Sequence, residues 1–140
     1  MKTACKLLFC VGIFSMLTPC RAQDPNALYG IYNNINGDYY FSKVDLVTGT
    51  RTDFCFASTT IGSDYSADVN VQDGLYYFCT GDSVKTFDAV NGTLVSTVSV
   101  GISSSTPFIS IRYNPCDSFL YGVIYDTAYS FARFHTTTGL

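Results

Sequence analysis

The chain has 140 residues, of which 47% are hydrophobic, 16% aromatic and only 14% charged, with a formal net charge of −3. That length suits a single domain, and the apolar fraction excludes a disordered acidic or basic tail. All 11 acidic residues are Asp and the only His is His135; Glu and Trp are absent, while Tyr, Phe, Thr and Val abound, a composition that favours strands over helices.

In chain order, the first element is a secretory leader, residues 1–22. Lys2 and Lys6 give a positive start, Leu7 to Leu17 form an apolar run of eleven, and Cys20 and Ala22 are the small residues before a cleavage site. Eleven apolar residues are too few to cross a bilayer, which needs ~20. The expectation is a protein secreted to the extracellular space, with no membrane span and a folded part over 23–140. Loss of the leader removes Cys5, Cys10 and Cys20 together with Lys2, Lys6 and Arg21. Five basic residues (Lys43, Arg51, Lys85, Arg112, Arg133) then face eleven Asp, a net charge of −6. An acidic surface of this kind argues against nucleic acid as a partner. Three cysteines remain, Cys55, Cys79 and Cys116, an odd number for an oxidising compartment; any pair of them could be bridged, or one could bridge to another chain.

Beyond the leader the chain repeats itself. Leu28-Tyr29-Gly30 recurs as Leu75-Tyr76-Tyr77 and Leu120-Tyr121-Gly122, at steps of 47 and 45. Downstream of each lies a second marker, Val44 to Thr50, Phe87 to Thr93 and Phe134 to Leu140, at steps of 43 and 47. A third marker precedes the Leu-Tyr motif: Ser66 to Asn70 matches Ser110 to Asn114. The Leu-Tyr runs predict half-buried strands, and the Thr-Gly and Asn-Gly pairs predict turns in which Gly takes positive φ. The Asp four residues before each Gly is placed to accept backbone hydrogen bonds in that turn. Two further strands are predicted between Gly49 and Leu75, Thr50 to Ser58 and Ser66 to Val71. The unit is about four short strands in roughly 45 residues, the size of one propeller blade.

The Leu-Tyr-Gly strand followed by an Asp-x-x-x-Gly hairpin resembles the repeats of secreted and cell-surface β-propellers of the YVTN type. The resemblance covers Asp24 to Leu140 and implies an all-β fold: an incomplete propeller of about two and a half four-stranded blades. His135 departs from the pattern, standing where the other copies have Asp. A β-sandwich is the competing architecture, but it needs no repeating motif. The first copy begins at its second strand and the third stops at its hairpin, so the sequence reads as part of a longer protein.

Few residues offer chemistry. A Ser-His-Asp triad has only His135 to build on, at a position where a turn role suffices. The spacing of Cys55, Cys79 and Cys116 does not suit zinc, and Asp68 to Gly74 misses the calcium-loop pattern, its Gly falling one place late. No cofactor is expected, and isolated Asp residues in loops would bind calcium only weakly. Asn91-Gly92-Thr93 is a glycosylation sequon, open to use in a secreted chain. The pairs Tyr39-Tyr40 and Tyr76-Tyr77 are candidates for a carbohydrate- or protein-binding surface, against the plainer role of strand packing. The function expected is a non-enzymatic structural or binding component of an extracellular matrix, and Asp as the sole acid resembles the composition of biomineral matrices such as shell. Its partners would be other matrix components, or further copies held through unpaired sheet edges. The alternatives are the N-terminal part of a propeller-based secreted enzyme, such as a calcium-dependent hydrolase, and a glycan- or protein-binding ectodomain.

Overall fold

The computed structural model describes residues 24–58, 65–102, 108–125 and 127–139; residues 1–22, where a leader is expected, lie outside them. The described chain is all β. Its ten strands are β1 (Ala27–Asn33), β2 (Tyr39–Asp45), β3 (Arg51–Ser58), β4 (Tyr65–Asn70), β5 (Leu75–Thr80), β6 (Ser83–Asp88), β7 (Leu94–Ser99), β8 (Phe108–Asn114), β9 (Phe119–Tyr125) and β10 (Tyr129–His135). They form three antiparallel sheets, β1-β2-β3, β4-β5-β6-β7 and β8-β9-β10, in which each strand pairs only with its neighbours in sequence.

The repeated turn takes the form its residues demand. In the first sheet Asp45 Oδ1 accepts the amides of Val47 (2.8 Å) and Thr48 (2.9 Å). Those two bonds hold the Asp45 carboxyl below its usual range. In the second, Asp88 Oδ1 accepts the amides of Val90 (2.7 Å) and Asn91 (3.0 Å). In the third, His135 Nδ1 stands in for the carboxylate, accepting the Thr137 amide at 3.3 Å with Thr137 Oγ1 at 2.8 Å. Each turn closes on a glycine in the left-handed region: Gly49 at φ 72°, Gly92 at 73° and Gly139 at 91°.

Register corrects one detail of the repeat. Leu28 stands opposite Val44, and Leu120 opposite Phe134, each beside the turn residue. In the second sheet the residue in that place is Phe87, and it stands opposite Tyr76 rather than Leu75. The second copy of Leu-Tyr-Gly is therefore Tyr76-Tyr77-Phe78, one residue later than the Leu75-Tyr76-Tyr77 match. A slip of one residue exchanges the two faces of a strand. With the correct register, equivalent residues point the same way in all three sheets. We call the face bearing Tyr29, Tyr77 and Tyr121 the front, and the face bearing Leu28, Tyr76 and Leu120 the back.

The sheets stack front to back. Tyr29, Ile31 and Phe41 on the first front meet Tyr76, Phe78 and Phe87 on the second back. Tyr77, Cys79 and Val84 on the second front meet Ile111, Leu120 and Phe134 on the third back. Successive residues of a strand point to opposite faces, so β5 sends Tyr76 and Phe78 into one seam and Tyr77 and Cys79 into the other. The middle sheet is thus buried on both faces, which a two-layer sandwich does not provide. Thr86, opposite Tyr77, is buried in the second seam, and its hydroxyl finds no hydrogen-bond partner. Replacing that hydroxyl by a methyl removes an unpaired polar atom at nearly constant shape. Thr86→Val is therefore expected to raise stability by about 1 kcal/mol in a urea titration, and a loss of stability would refute this account.

Polar contacts lock the same arrangement. From the front of β4, Ser66 Oγ accepts the Ile111 amide (2.8 Å), and Asp68 accepts the Tyr113 amide (2.7 Å) and pairs with Arg112 (3.0 Å), all on β8. The Lys85 ammonium donates to the Ala57 carbonyl across the first seam. The hairpin glycine of each later sheet sits on the last strand of the sheet before it: Gly92 lies against the Phe54 ring, and Gly139 against the Ser99 carbonyl.

Candidate functional site

The third front face is open among the described residues, whereas the equivalent faces of the first two sheets are packed. Antiparallel pairing sets four residue pairs along it: Phe119 with His135, Tyr121 with Arg133, Val123 with Phe131, and Tyr125 with Tyr129. Tyr129 is 71% exposed and Phe131 92%. Equivalent front positions of the first two sheets, such as Ile31 and Cys79, are packed in seams. Exposed aromatics gathered on one face mark an interaction surface, whereas scattered ones do not.

The strip is held in shape by its own contacts. The Tyr125 and Tyr129 rings lie 4.9 Å apart, and Phe119 meets His135 edge-on at 5.1 Å. The Arg133 guanidinium sits 4.5 Å from the centre of the Phe119 ring. Tyr121 donates its hydroxyl to Asp117 at 2.7 Å, a bond that lowers the Asp117 carboxyl and raises the Tyr121 phenol from their ordinary values. The result is a flat aromatic band carrying a guanidinium and phenolic hydroxyls, suited to packing against another strand layer or an apolar ring face.

The residues singled out from sequence fall elsewhere. Of the two Tyr pairs, Tyr76 and Tyr77 are core residues on opposite faces of the middle sheet, so they offer no binding surface. Tyr39 and Tyr40 are half-buried in β2, with Tyr40 edge-on to Phe56 at 5.9 Å. Asn91 is exposed at the tip of the β6–β7 hairpin, its amide donating to Asp88 at 2.9 Å. His135 is committed to its turn and to Phe119. Asp68 faces β8 while Asn70 and Asp73 bond to each other (2.8 Å), so the segment 68–74 is a strand and a turn rather than a calcium loop. Among the described residues no three His, Cys, Asp or Glu side chains gather as a metal site would require. The strip itself was legible in principle: β9 reads Phe-x-Tyr-x-Val-x-Tyr and β10 reads Tyr-x-Phe-x-Arg-x-His.

The three cysteines are free thiols in three different settings. Cys79 is fully buried in the second seam, and burial pushes its thiol up to about 12. Cys55 is half-buried in β3, its thiol also raised by burial, and Cys116 is exposed in the β8–β9 turn. Because the thiolate is the reactive form, Cys116 is expected to react with maleimide at least ~100-fold faster than Cys79, which reacts only when the seam opens. Peptide mapping after a timed pulse reads this directly, and equal rates would refute the buried placement.

No helix among the described residues is long and apolar enough to cross a membrane. Comparison with protein-family models and with curated proteins yields no match to this chain.

Proposed function

We propose that this protein is a secreted, non-enzymatic component of an extracellular matrix, built on propeller-type blades and acting through its exposed sheet faces. The observation that carries the reading is the third front face, with Tyr125, Tyr129 and Phe131 laid open on a rigid three-stranded layer. A surface of this kind is made for holding other macromolecules. The blade reading is supported by the front-to-back order of the three sheets and by the lock between the first strands of the second and third, β4 and β8. The extracellular setting is supported by the leader pattern of residues 1–22, and a mineralised matrix by the use of Asp alone as acid.

The test is fractionation of the source tissue with an antibody to the folded part. The protein is expected in the residue that survives detergent, and to be released by demineralisation, at a mass lacking the leader. Recovery from the soluble intracellular fraction with the leader intact would overturn the proposal.

A further inference from the structure

The chain holds 11 tyrosines, and the way they meet differs from sheet to sheet. In the second seam Tyr77 stacks on Tyr113, ring centres 5.1 Å apart and planes 28° from parallel, but Tyr77 is 2% exposed and burial pushes its phenol up to about 12. On the first sheet Tyr32 and Tyr40 stand opposite in register, yet the Tyr32 ring lies over Gly30 and the Tyr40 ring turns edge-on to Phe56. On the third sheet Tyr125 and Tyr129 also stand opposite, and here the rings meet, centres 4.9 Å apart and planes inclined at 51°. Tyr125 is 41% exposed and Tyr129 71%. Of the three couples this one alone is both in contact and open to solution.

That openness belongs to the loop end of the hairpin. Asn33 and Tyr39 hold the equivalent places on the first sheet, whose front is packed, and there Asn33 is exposed and Tyr39 half-buried. Access to the couple therefore does not depend on what covers the rest of the third front.

We propose that Tyr125 and Tyr129 form an oxidative cross-linking site, joined within the chain as dityrosine. The co-reactant is hydrogen peroxide acting through a haem peroxidase, which removes electrons one at a time. Each phenol gives up one electron and its hydroxyl proton and becomes a neutral tyrosyl radical. The two radicals couple through ring carbons beside the hydroxyls, forming one C–C bond. The hydrogen on each coupled carbon then passes to the phenolic oxygen as the ring recovers its aromaticity. Two electrons and two protons leave in all, and one peroxide takes them up to give two waters. A biaryl bond favours planes twisted rather than parallel, and rings already in contact need only a small approach to form it. Held opposite each other on paired strands, the two phenols meet at an effective concentration far above that of other chains in dilute solution. The product staples β9 to β10 at the loop end, a covalent closure that the free thiols of Cys55, Cys79 and Cys116 do not supply. The proposal goes beyond the matrix reading and rests on the register of one hairpin, whatever the setting of the protein.

The full chain, at low micromolar concentration, is treated with a haem peroxidase and equimolar hydrogen peroxide, then followed by dityrosine fluorescence and intact mass. The expected product is a single chain lighter by two hydrogens. Proteolytic cleavage before Asp126, which lies between the two tyrosines in sequence, then leaves the flanking peptides joined. Tyr129→Phe is expected to lower the yield of that product at least about tenfold, since the held partner has lost its phenol. Tyr113→Phe leaves the yield unchanged, and far-UV circular dichroism checks that both variants fold. Links chiefly between chains, a link mapping to Tyr77 and Tyr113, or an equal yield from Tyr129→Phe would each overturn the proposal. Recovery of unlinked wild-type chain after the peroxide is consumed would do the same. An intracellular location would overturn the matrix reading and leave this result untouched.

Discussion

Phe41→Ala is expected to lower folding stability by about 3–5 kcal/mol, the range for removing a large aromatic from a close-packed core. Phe41 is fully buried and touches rings from both sides of the first seam. Phe87 lies at 4.8 Å, Tyr76 at 5.0 Å, Phe54 at 5.8 Å and Tyr29 at 6.2 Å. Two of those partners belong to its own sheet and two to the next, so the residue holds the layers together. No smaller side chain can keep four rings in contact, and the rigid strands around it limit collapse of the cavity. The control is Ile35→Ala: Ile35 is fully exposed between β1 and β2, and its loss is expected to change stability by less than about 0.5 kcal/mol. With no Trp in the chain, far-UV circular dichroism during urea unfolding is the suitable readout. Equal losses in the two variants would refute the central role given to the first seam.

The glycines of the repeated turn give the second large effect. Gly49 and Gly92 hold nearly the same positive φ, 72° and 73°. Gly49 has open space where a side chain would go, whereas a Cβ on Gly92 would run into the Phe54 ring. Gly49→Ala is therefore expected to cost only the left-handed conformation, roughly 1–2 kcal/mol. Gly92→Ala adds displacement of Phe54 from the seam, a further 1–3 kcal/mol or so typical of overpacking. The difference between two chemically identical substitutions isolates the contact between sheets from the turn itself. If the two variants melt together, Phe54 gives way freely and the hairpin does not wedge the seam.

Much of this architecture is written in the chain at short range. The turn chemistry follows from Asp45, Asp88 and their glycines, and His135 takes the acceptor role that its repeat position demands. Strands β3 and β4 lie where alternation and turn residues place them. The faces were harder to read. In the second copy both Leu75-Tyr76 and Tyr76-Tyr77 fit a Leu-Tyr pattern, and only the pairing of Phe87 with Tyr76 tells them apart. That single residue decides which of Tyr76 and Tyr77 faces the first sheet and which the third; both are core because the middle sheet is covered on both sides. The exposed strip was hidden for a related reason. Phe131 and Phe134 look alike in sequence, yet one is 92% exposed and the other buried, because among the described residues a sheet packs against one face of β10 and none against the other. Which faces have a neighbour is a property of the stack, and no local pattern encodes it.

Because every strand pairs with a neighbour in sequence, the order in which the chain is made becomes the order in which it folds. Hairpins close within ~1–10 μs, while synthesis proceeds at roughly 5–20 residues per second. The first sheet is complete at Ser58, but Phe87, which covers Phe41, lies 29 residues further on. For roughly 1–6 s at that rate, the nascent chain holds a finished sheet with its aromatic front uncovered. A similar wait returns for the second sheet, complete at Ser99 and 35 residues short of Phe134. Chaperones at the ribosome or the translocon thus meet this protein at two defined moments, and a translational pause just after Ser58 would lengthen the first.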